Sequence, residues 1–251
     1  MSEVKKRLRI LAGPNGSGKS TLFEALSRKY KVGYFINADL IQKILETQGL
    51  IDLEDYNIKT DENDFESFCK TGNAISLIQK SIKEGHTIDV KIKDNFIVDS
   101  SKKTHSYEGA LIASFLREKL IKSGQNYSFE TVMSHVSKLD DILEAKQNGY
   151  KTYFYFICID DPEVNVSRVE NRVAKGGHNV DSSKIISRYP DTLKNLFPAI
   201  EICDKTYLFD NSGEEGFVLI AEIEKGQRLT LHVDEPMFPK WFKEYVLQKF
   251  G

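Results

Sequence analysis

Cysteine is scarce in this chain: Cys69, Cys158 and Cys203 are all there is in 251 residues, an odd number with no Cys-x-x-Cys spacing. That argues against a disulfide framework or a structural zinc site and makes a reducing cytoplasm the expected compartment. Long apolar runs are missing as well. No stretch approaches the roughly 20 residues that a membrane helix needs. The basic start Lys5-Lys6-Arg7 leads into an apolar run too short for a signal peptide. Neither charge is in excess: 35 Lys and Arg stand against 37 Asp and Glu, with a formal net charge of −2 and a pI near 6.3. Bulk electrostatics therefore point to neither nucleic acid nor an anionic membrane as partner. There is no internal repeat and no low-complexity linker. What remains is a chain 40% hydrophobic and 29% charged, the size of one α/β domain or at most two small ones.

Hydrophobic periodicity sets out an alternation. Residues 8–12 form a short apolar run before a glycine-rich turn, and Leu22, Phe23, Ala25 and Leu26 then recur at helical spacing. Tyr34-Phe35-Ile36 is a second strand, followed by a helix carrying Leu40, Ile41, Ile44 and Leu45. Residues 52–70 hold seven carboxylates against two lysines and read as an exposed connection or the edge of an insertion. A helix over 74–83 and a hairpin over 88–98, turning at Asp94-Asn95, interrupt the rhythm. It resumes with a helix over 107–122 stopped by Gly124, a strand over 126–130 and a helix over 136–147. The unbroken apolar run 153–159 is the pattern of a central strand in a parallel sheet. Asp160-Asp161-Pro162 caps a helix to about residue 175, a further helix over 183–197 ends at Pro198, and 206–209 is the fifth strand. The expected fold is three-layer α/β around a central parallel five-stranded sheet. The tail adds a hairpin, 217–223 with 228–233, and a closing helix around Trp241.

The glycine-rich turn carries the chemistry. Gly13-Pro14-Asn15-Gly16-Ser17-Gly18-Lys19-Ser20 fits Gly-x4-Gly-Lys-[Ser/Thr] in full, with a strand before it and a helix after it. Glycines let backbone N–H groups wrap phosphates, Lys19 reaches the β- and γ-phosphates, Ser20 ligates Mg²⁺, and the helix points its positive end at them. The alternative, a glycine-rich turn with a solvated lysine, leaves that context unexplained. ATP and Mg²⁺ are the expected nucleotide and metal.

Guanine readers carry Asn-Lys-x-Asp and cassette ATPases carry Leu-Ser-Gly-Gly; neither sequence occurs here. A motor ATPase ends an apolar strand in Asp-Glu, whereas residues 155–161 end in Asp160-Asp161 before Pro162, which favours a helix cap over a metal ligand. A kinase needs basic residues for the transferring phosphoryl group and a carboxylate for the acceptor's proton. Arg168, Arg172 and Lys175 fall on one helical stripe, opposite Val166, Val169 and Val173, and His178 and Arg188 extend the basic set beyond Gly176-Gly177. A basic stripe is also what a merely solvated helix face looks like. Asp39, after the second strand, has two readings, general base or helix N-cap. Glu130 ends a strand at the same sheet edge, where substrate or Mg²⁺-bound water would sit. His86, His105 and His135 show no metal-ligand spacing and read as surface or packing residues.

Taken together, residues 12–21, Asn37-Ala38-Asp39, the run Phe129-Glu130-Thr131-Val132-Met133-Ser134, and Arg168, Arg172, Gly176-Gly177-His178, Val180, Ile186 and Arg188-Tyr189 resemble the zeta-toxin-like P-loop kinases, including their predicted ATPase branch. The likeness covers roughly residues 7–212 apart from the insertion. It implies one kinase domain over residues 1–251, with an insertion at 52–103 and a C-terminal extension at 214–251. It also implies ATP-dependent phosphorylation of a small-molecule hydroxyl, in characterised zeta toxins that of a UDP-N-acetyl sugar, restrained by a partner antitoxin. By position, Gly13, Asn15, Gly16, Ser17, Gly18, Lys19, Ser20 and Thr21 look like the nucleotide site and Asp39 like the base. Arg168 or Arg172 with Arg188 would be the lid arginines, and Glu130, Ser134 and His178 would face the substrate. The chain departs from the toxin pattern at Val132, where that pattern has Thr. The rival class is a regulatory ATPase that works through a protein partner.

Overall fold

The computed structural model describes residues 6–100, 103–177 and 179–250. In chain order, β1 (Arg7–Ala12) and α1 (Lys19–Lys29) come first. Next are β2 (Tyr34–Ile36), α2 (Ala38–Gln48), β3 (Leu50–Asp52), α3 (Glu62–Cys69), α4 (Gly72–Lys83), β4 (Val90–Lys93), β5 (Phe96–Asp99) and α5 (Ser106–Ser123). The α/β succession continues with β6 (Tyr127–Thr131), α6 (Ser137–Gln147), β7 (Lys151–Cys158), α7 (Pro162–Ala174), α8 (Ser182–Lys194), α9 (Leu196–Ile202) and β8 (Lys205–Asp210). A tail of β9 (Val218–Glu224), β10 (Arg228–Leu231) and α10 (Lys240–Tyr245) follows. The chain divides into two compact units, Met1–Gly33 with Ser128–Gly251, and Tyr34–Tyr127.

In the first unit the strands lie in the order β10-β9-β8-β7-β1-β6. β7 runs parallel to β1, with Phe154 opposite Ile10, and parallel to β8, with Phe156 opposite Leu208. The apolar run of β7 has the reason expected for a central strand: Phe154, Phe156, Ile157 and Cys158 are fully buried. Burial also pushes the thiol of Cys158 up, and that of Cys203 to about 12, so both behave as small apolar residues. Beyond the five alternating strands, β9 pairs antiparallel with β8 and β10 with β9. The tail hairpin thus extends the sheet and covers the edge that β8 would otherwise expose. Asp161 caps α7 with Pro162 in its first turn, as the sequence indicates. The helix expected over 183–197 instead breaks at Asn195, which ends α8 and begins α9. Pro198 does not end a helix; it sits in the first turn of α9, where a missing N–H leaves no bond unmade.

In the second unit β3, β5 and β4 form an antiparallel sheet in that order, so the expected hairpin gains a third strand. Asp94 and Asn95 turn it with φ of 51° and 64°, the two left-handed residues that a two-residue hairpin favours. Residues 52–70, expected as an exposed connection, contain α3, capped by the Asp61 carboxylate. Phe65 and Phe68 lie three apart on its inner face and pack against Phe115 of α5, with ring centroids 5.1 and 5.3 Å away. Asp64 and Glu66 of this helix are exposed, while Glu62 is half-buried and accepts from the Ile92 N–H of β4. His86 and His105 are packing residues here: the fully buried Glu108 accepts from the His105 N–H at 3.0 Å and pairs with the His86 ring. No helix among the described residues is long and apolar enough to cross a membrane.

Phe115 is fully buried at the meeting point of α3 and α5. Phe115→Ala is expected to lower stability by about 3–5 kcal/mol, read as a lower urea midpoint in equilibrium unfolding.

Candidate functional site

The loop between β1 and α1 is held by contacts too close for any side chain. A Cβ on Gly13, whose φ is 146°, would sit 2.0 Å from the carbonyl oxygen of Ile157; one on Gly18, with φ of 104°, would sit 2.6 Å from Nδ2 of Asn211. Gly16 likewise lies against the backbone of Asn165 in α7. The loop therefore runs flat against the carboxyl end of β7 and its N–H groups are free to turn the other way. α1 opens without a side-chain cap, whereas α2, α3, α7 and α8 are each capped by an Asn or Asp. Uncapped N–H groups at the end of an 11-residue helix leave its positive pole to an anion.

Lys19 is 6% exposed. Its Nζ folds back to donate to the carbonyls of Gly13 (3.0 Å) and Pro14 (2.9 Å) and lies 3.7 Å from Oε1 of Glu130. Ser20 Oγ donates to Oε2 of the same carboxylate at 3.3 Å. Glu130, near the end of β6, thus bridges the ammonium and the hydroxyl expected at phosphate and metal. Ser20 and Glu130 offer the oxygen ligands that Mg²⁺ takes, and among the described residues no cluster of three or more His, Cys, Asp or Glu offers a dedicated metal cage. Asn15 Oδ1 and the fully buried Ser17 Oγ have no hydrogen-bond partner among the described residues. Thr21 is exposed on α1.

The segment after β6 is fixed by α8. Met133 adopts φ of 65°, a left-handed conformation uncommon for its type, and its carbonyl accepts from Asn195 Nδ2 at 2.9 Å. The carbonyl of Val132 accepts from Thr192 Oγ1 at 2.9 Å. Glu130 and the half-buried Ser134 therefore flank a braced turn. Arg168 on α7 donates from Nη2 to the carbonyl of Asn211 at 3.0 Å; Arg172 is exposed on the same helix and Arg188 half-buried on α8. α7 and α8 meet through Val166, Val169 and Ile185, which confirms the apolar stripe opposite the arginines. His178 lies outside the described residues.

Asp39 belongs to the second unit, in the first turn of α2. Its two readings separate here, because the N-cap is Asn37, whose Oδ1 accepts from the N–H groups of Asp39 (2.9 Å) and Leu40 (3.1 Å). The Asp39 side chain is exposed and is not the cap. Asp161 caps α7, accepting from Glu163 N at 2.9 Å. Asp160 accepts from the backbone N–H groups of Lys240 and Trp241, both at 2.9 Å, so both aspartates of the β7 end hold helix starts. Asn211 was not legible as a site residue, although its place just past β8, at the carboxyl edge of a parallel strand, is where such residues collect.

No family model matches the chain. An uncharacterized protein of Haemophilus influenzae is 30% identical over 69 residues, which is 28% of this chain and 49% of that protein, so the match spans about half of that relative's length. Among solved structures, the chain resembles one from the AvrRxo1-ORF1:AvrRxo1-ORF2 complex with sulphate ions, at a TM-score of 0.50 and 17% identity, covering 91% of this chain and 61% of that one. The same complex with ATP gives a TM-score of 0.50 at 16% identity, with the same coverage. A chain of the PezAT chromosomal toxin-antitoxin system of Streptococcus pneumoniae gives 0.49 at 14% identity over 88% of this chain and 73% of that one. The AvrRxo1 likeness is one of fold: the α/β architecture expected from the phosphate loop is present.

Gly13→Ala is expected to destabilise the first unit by about 2–4 kcal/mol, because the atom it meets is a backbone carbonyl with nowhere to go and the φ is one that alanine avoids. Thermal melting of the variant beside wild type reads this directly.

Proposed function

We propose that this chain is an ATP-dependent phosphotransferase of the zeta-toxin type, which moves the γ-phosphate of ATP to a hydroxyl of a small molecule. One observation carries the reading: Lys19 and Ser20 converge on Glu130 at the uncapped start of α1. The buried ammonium is held by two carbonyls and, at 3.7 Å, one carboxylate, and triphosphate oxygens are stronger partners than the carbonyls they would replace. The fold it shares with a complex solved with ATP supports the nucleotide. The resemblance of its motifs to the zeta-toxin-like kinases supports transfer over simple hydrolysis and makes a UDP-N-acetyl sugar the first acceptor to test.

In this reading the backbone N–H groups of residues 15–20 hold the phosphates and Lys19 exchanges its carbonyl partners for the β- and γ-phosphates. Ser20 and Glu130 hold Mg²⁺ directly or through water, and the ion, when bound, neutralises charge between the phosphates. Asp39 takes the proton of the acceptor hydroxyl. The acceptor oxygen bonds to the γ-phosphorus as the bond to the β,γ-bridging oxygen breaks, and ADP leaves with that electron pair. Arg168, Arg172 and Arg188 offset the charge on the transferring group, while Ser134 contacts the acceptor. The AvrRxo1 structures are of two-protein complexes; a small restraining partner for this chain, an antitoxin, is part of the same proposal.

Phosphorus NMR of the protein with MgATP and UDP-N-acetylglucosamine, then with other sugar and nucleotide hydroxyls, is the test. A new phosphomonoester resonance is expected; inorganic phosphate alone across the whole set would rule out the transferase in favour of an ATPase. Asp39→Asn is expected to lower turnover by about 10²–10⁴-fold, the usual worth of a general base, with ATP affinity nearly unchanged, whereas Lys19→Ala damages both. Intact turnover in Asp39→Asn would remove the base from Asp39.

A further inference from the structure

The turn after β8 joins three parts of the first unit. Asn211 is 9% exposed, and its backbone N–H donates to the carbonyl of Cys158 at 2.8 Å, which docks it on the end of β7. Its carbonyl accepts from Arg168. Its side-chain Nδ2 donates to the carbonyl of Ser17, inside the phosphate loop, at 2.8 Å. A trans peptide points its C=O and the following N–H in opposite directions. By holding the Ser17 carbonyl, Asn211 turns the N–H of Gly18 away from itself, so this one amide sets the direction of a donor in the loop that wraps phosphate.

Asn211 is in turn held from the tail. Asp210 accepts from the N–H of Ser212 at 3.1 Å and from its hydroxyl at 2.9 Å, closing the turn around Asn211, and Ser212 Oγ also accepts from the N–H of Asp160 at 3.1 Å. The same Oδ1 of Asp210 accepts from Nε1 of Trp241 at 3.0 Å. Trp241, the one tryptophan of the chain, is 1% exposed, packs on Phe156 with centroids 5.5 Å apart, and starts a helix whose first N–H groups bond both oxygens of Asp160. The series runs unbroken from α10 through Asp210 and Asn211 to Ser17.

We infer that Trp241 and Asp210 are positioning residues for the nucleotide: through Asn211 they fix the phosphate loop in its binding conformation, which makes the C-terminal segment part of the nucleotide site. This rests on the reading of residues 13–20 as that site. None of these three side chains need touch ATP; they act through the Ser17–Gly18 peptide.

Isothermal titration with MgATP on the full chain tests it, using wild type, Asn211→Ala, Trp241→Phe, the double variant, and Lys19→Ala as the control that fails to bind. Trp241→Phe keeps a ring against Phe156 and loses only the donor to Asp210. Expected are a Kd raised about tenfold in Asn211→Ala and at least about threefold in Trp241→Phe. The double variant should bind no more weakly than Asn211→Ala alone, because the two residues act in series. The KM for ATP should rise with kcat nearly unchanged. In wild type, MgATP should shift the emission of Trp241, and Asn211→Ala should abolish that shift. Equal affinity of Trp241→Phe and wild type, or losses that add in the double variant, overturns the inference while leaving the nucleotide reading intact. A wild-type protein that binds no MgATP overturns both. If melting shows Trp241→Phe to be unfolded, Asp210→Asn decides the matter, since it weakens the same acceptor without cutting into the core; wild-type affinity there counts against the inference.

Discussion

The structure depends on a contact between two stretches of backbone. The phosphate loop can lie on the end of β7 because Gly13 puts no atom between its chain and the Ile157 carbonyl, which an added Cβ would approach to 2.0 Å. From this close approach the rest follows. β1 and β7 must be parallel neighbours in register, with Ala12 beside Phe156, for loop and strand end to meet. β7 must be apolar on both faces, because helices and the tail cover it. α1 must start directly from the loop, since Gly18 serves as its N-cap in a left-handed conformation that supplies no side-chain oxygen. The helix pole that Asn or Asp closes in α2, α3, α7 and α8 is here left to whatever binds the loop.

Electrostatics answer the same geometry. Lys19, almost without contact with solvent, needs partners for its charge, and it finds two carbonyls of its own loop and, at 3.7 Å, a carboxylate. The Glu130 bond to Ser20 means that one carboxylate spans the loop's cation and its hydroxyl. Net charge says nothing of this. The near-neutral total conceals an acid-rich segment over residues 52–70 and a stretch over 165–188 with five Lys or Arg against two acids. The first is a turn-rich connection that leads into a small helix with two buried phenylalanines. The second is the pair of helices α7 and α8 that meet through valines and an isoleucine.

Much of this is legible in the sequence, and what is not has identifiable causes. The phosphate loop, the central strand β7 and the Asp161-Pro162 helix start each combine a local rule with a strong pattern, and each lies where expected. α3 is masked in the sequence by composition: seven acids surround two phenylalanines at i and i+3 that reach Phe115, a residue about 50 positions away. The break at Asn195 was misplaced to Pro198 because a proline in a first helical turn and a proline past a last one look alike without the structure. Asn211 and Trp241 matter through bonds across 194 and 31 positions respectively, and neither periodicity nor motif spacing encodes such a pairing.

Three strand ends on one edge of the sheet, β8 and β7 as neighbours and β6 beyond β1, carry carboxylates with different partners. β6, β7 and β8 carry Glu130, Asp160 and Asp210 at or just past their last turns of strand, and by residue type alone each is a candidate for the metal side of a phosphate site. Their partners separate them. Both oxygens of Asp160 accept backbone N–H groups at the start of α10, so lending either to a cation competes with a bond that holds that helix. Asp210 is occupied by Trp241 and by both donors of Ser212. Glu130 alone of the three holds side chains of the phosphate loop itself, and it holds them by weaker contacts, 3.3 and 3.7 Å, that a closer ligand can displace. The tail therefore has a part in assigning chemistry to the edge: by engaging the carboxylates of β7 and β8, α10 leaves the one on β6 facing Lys19 and Ser20.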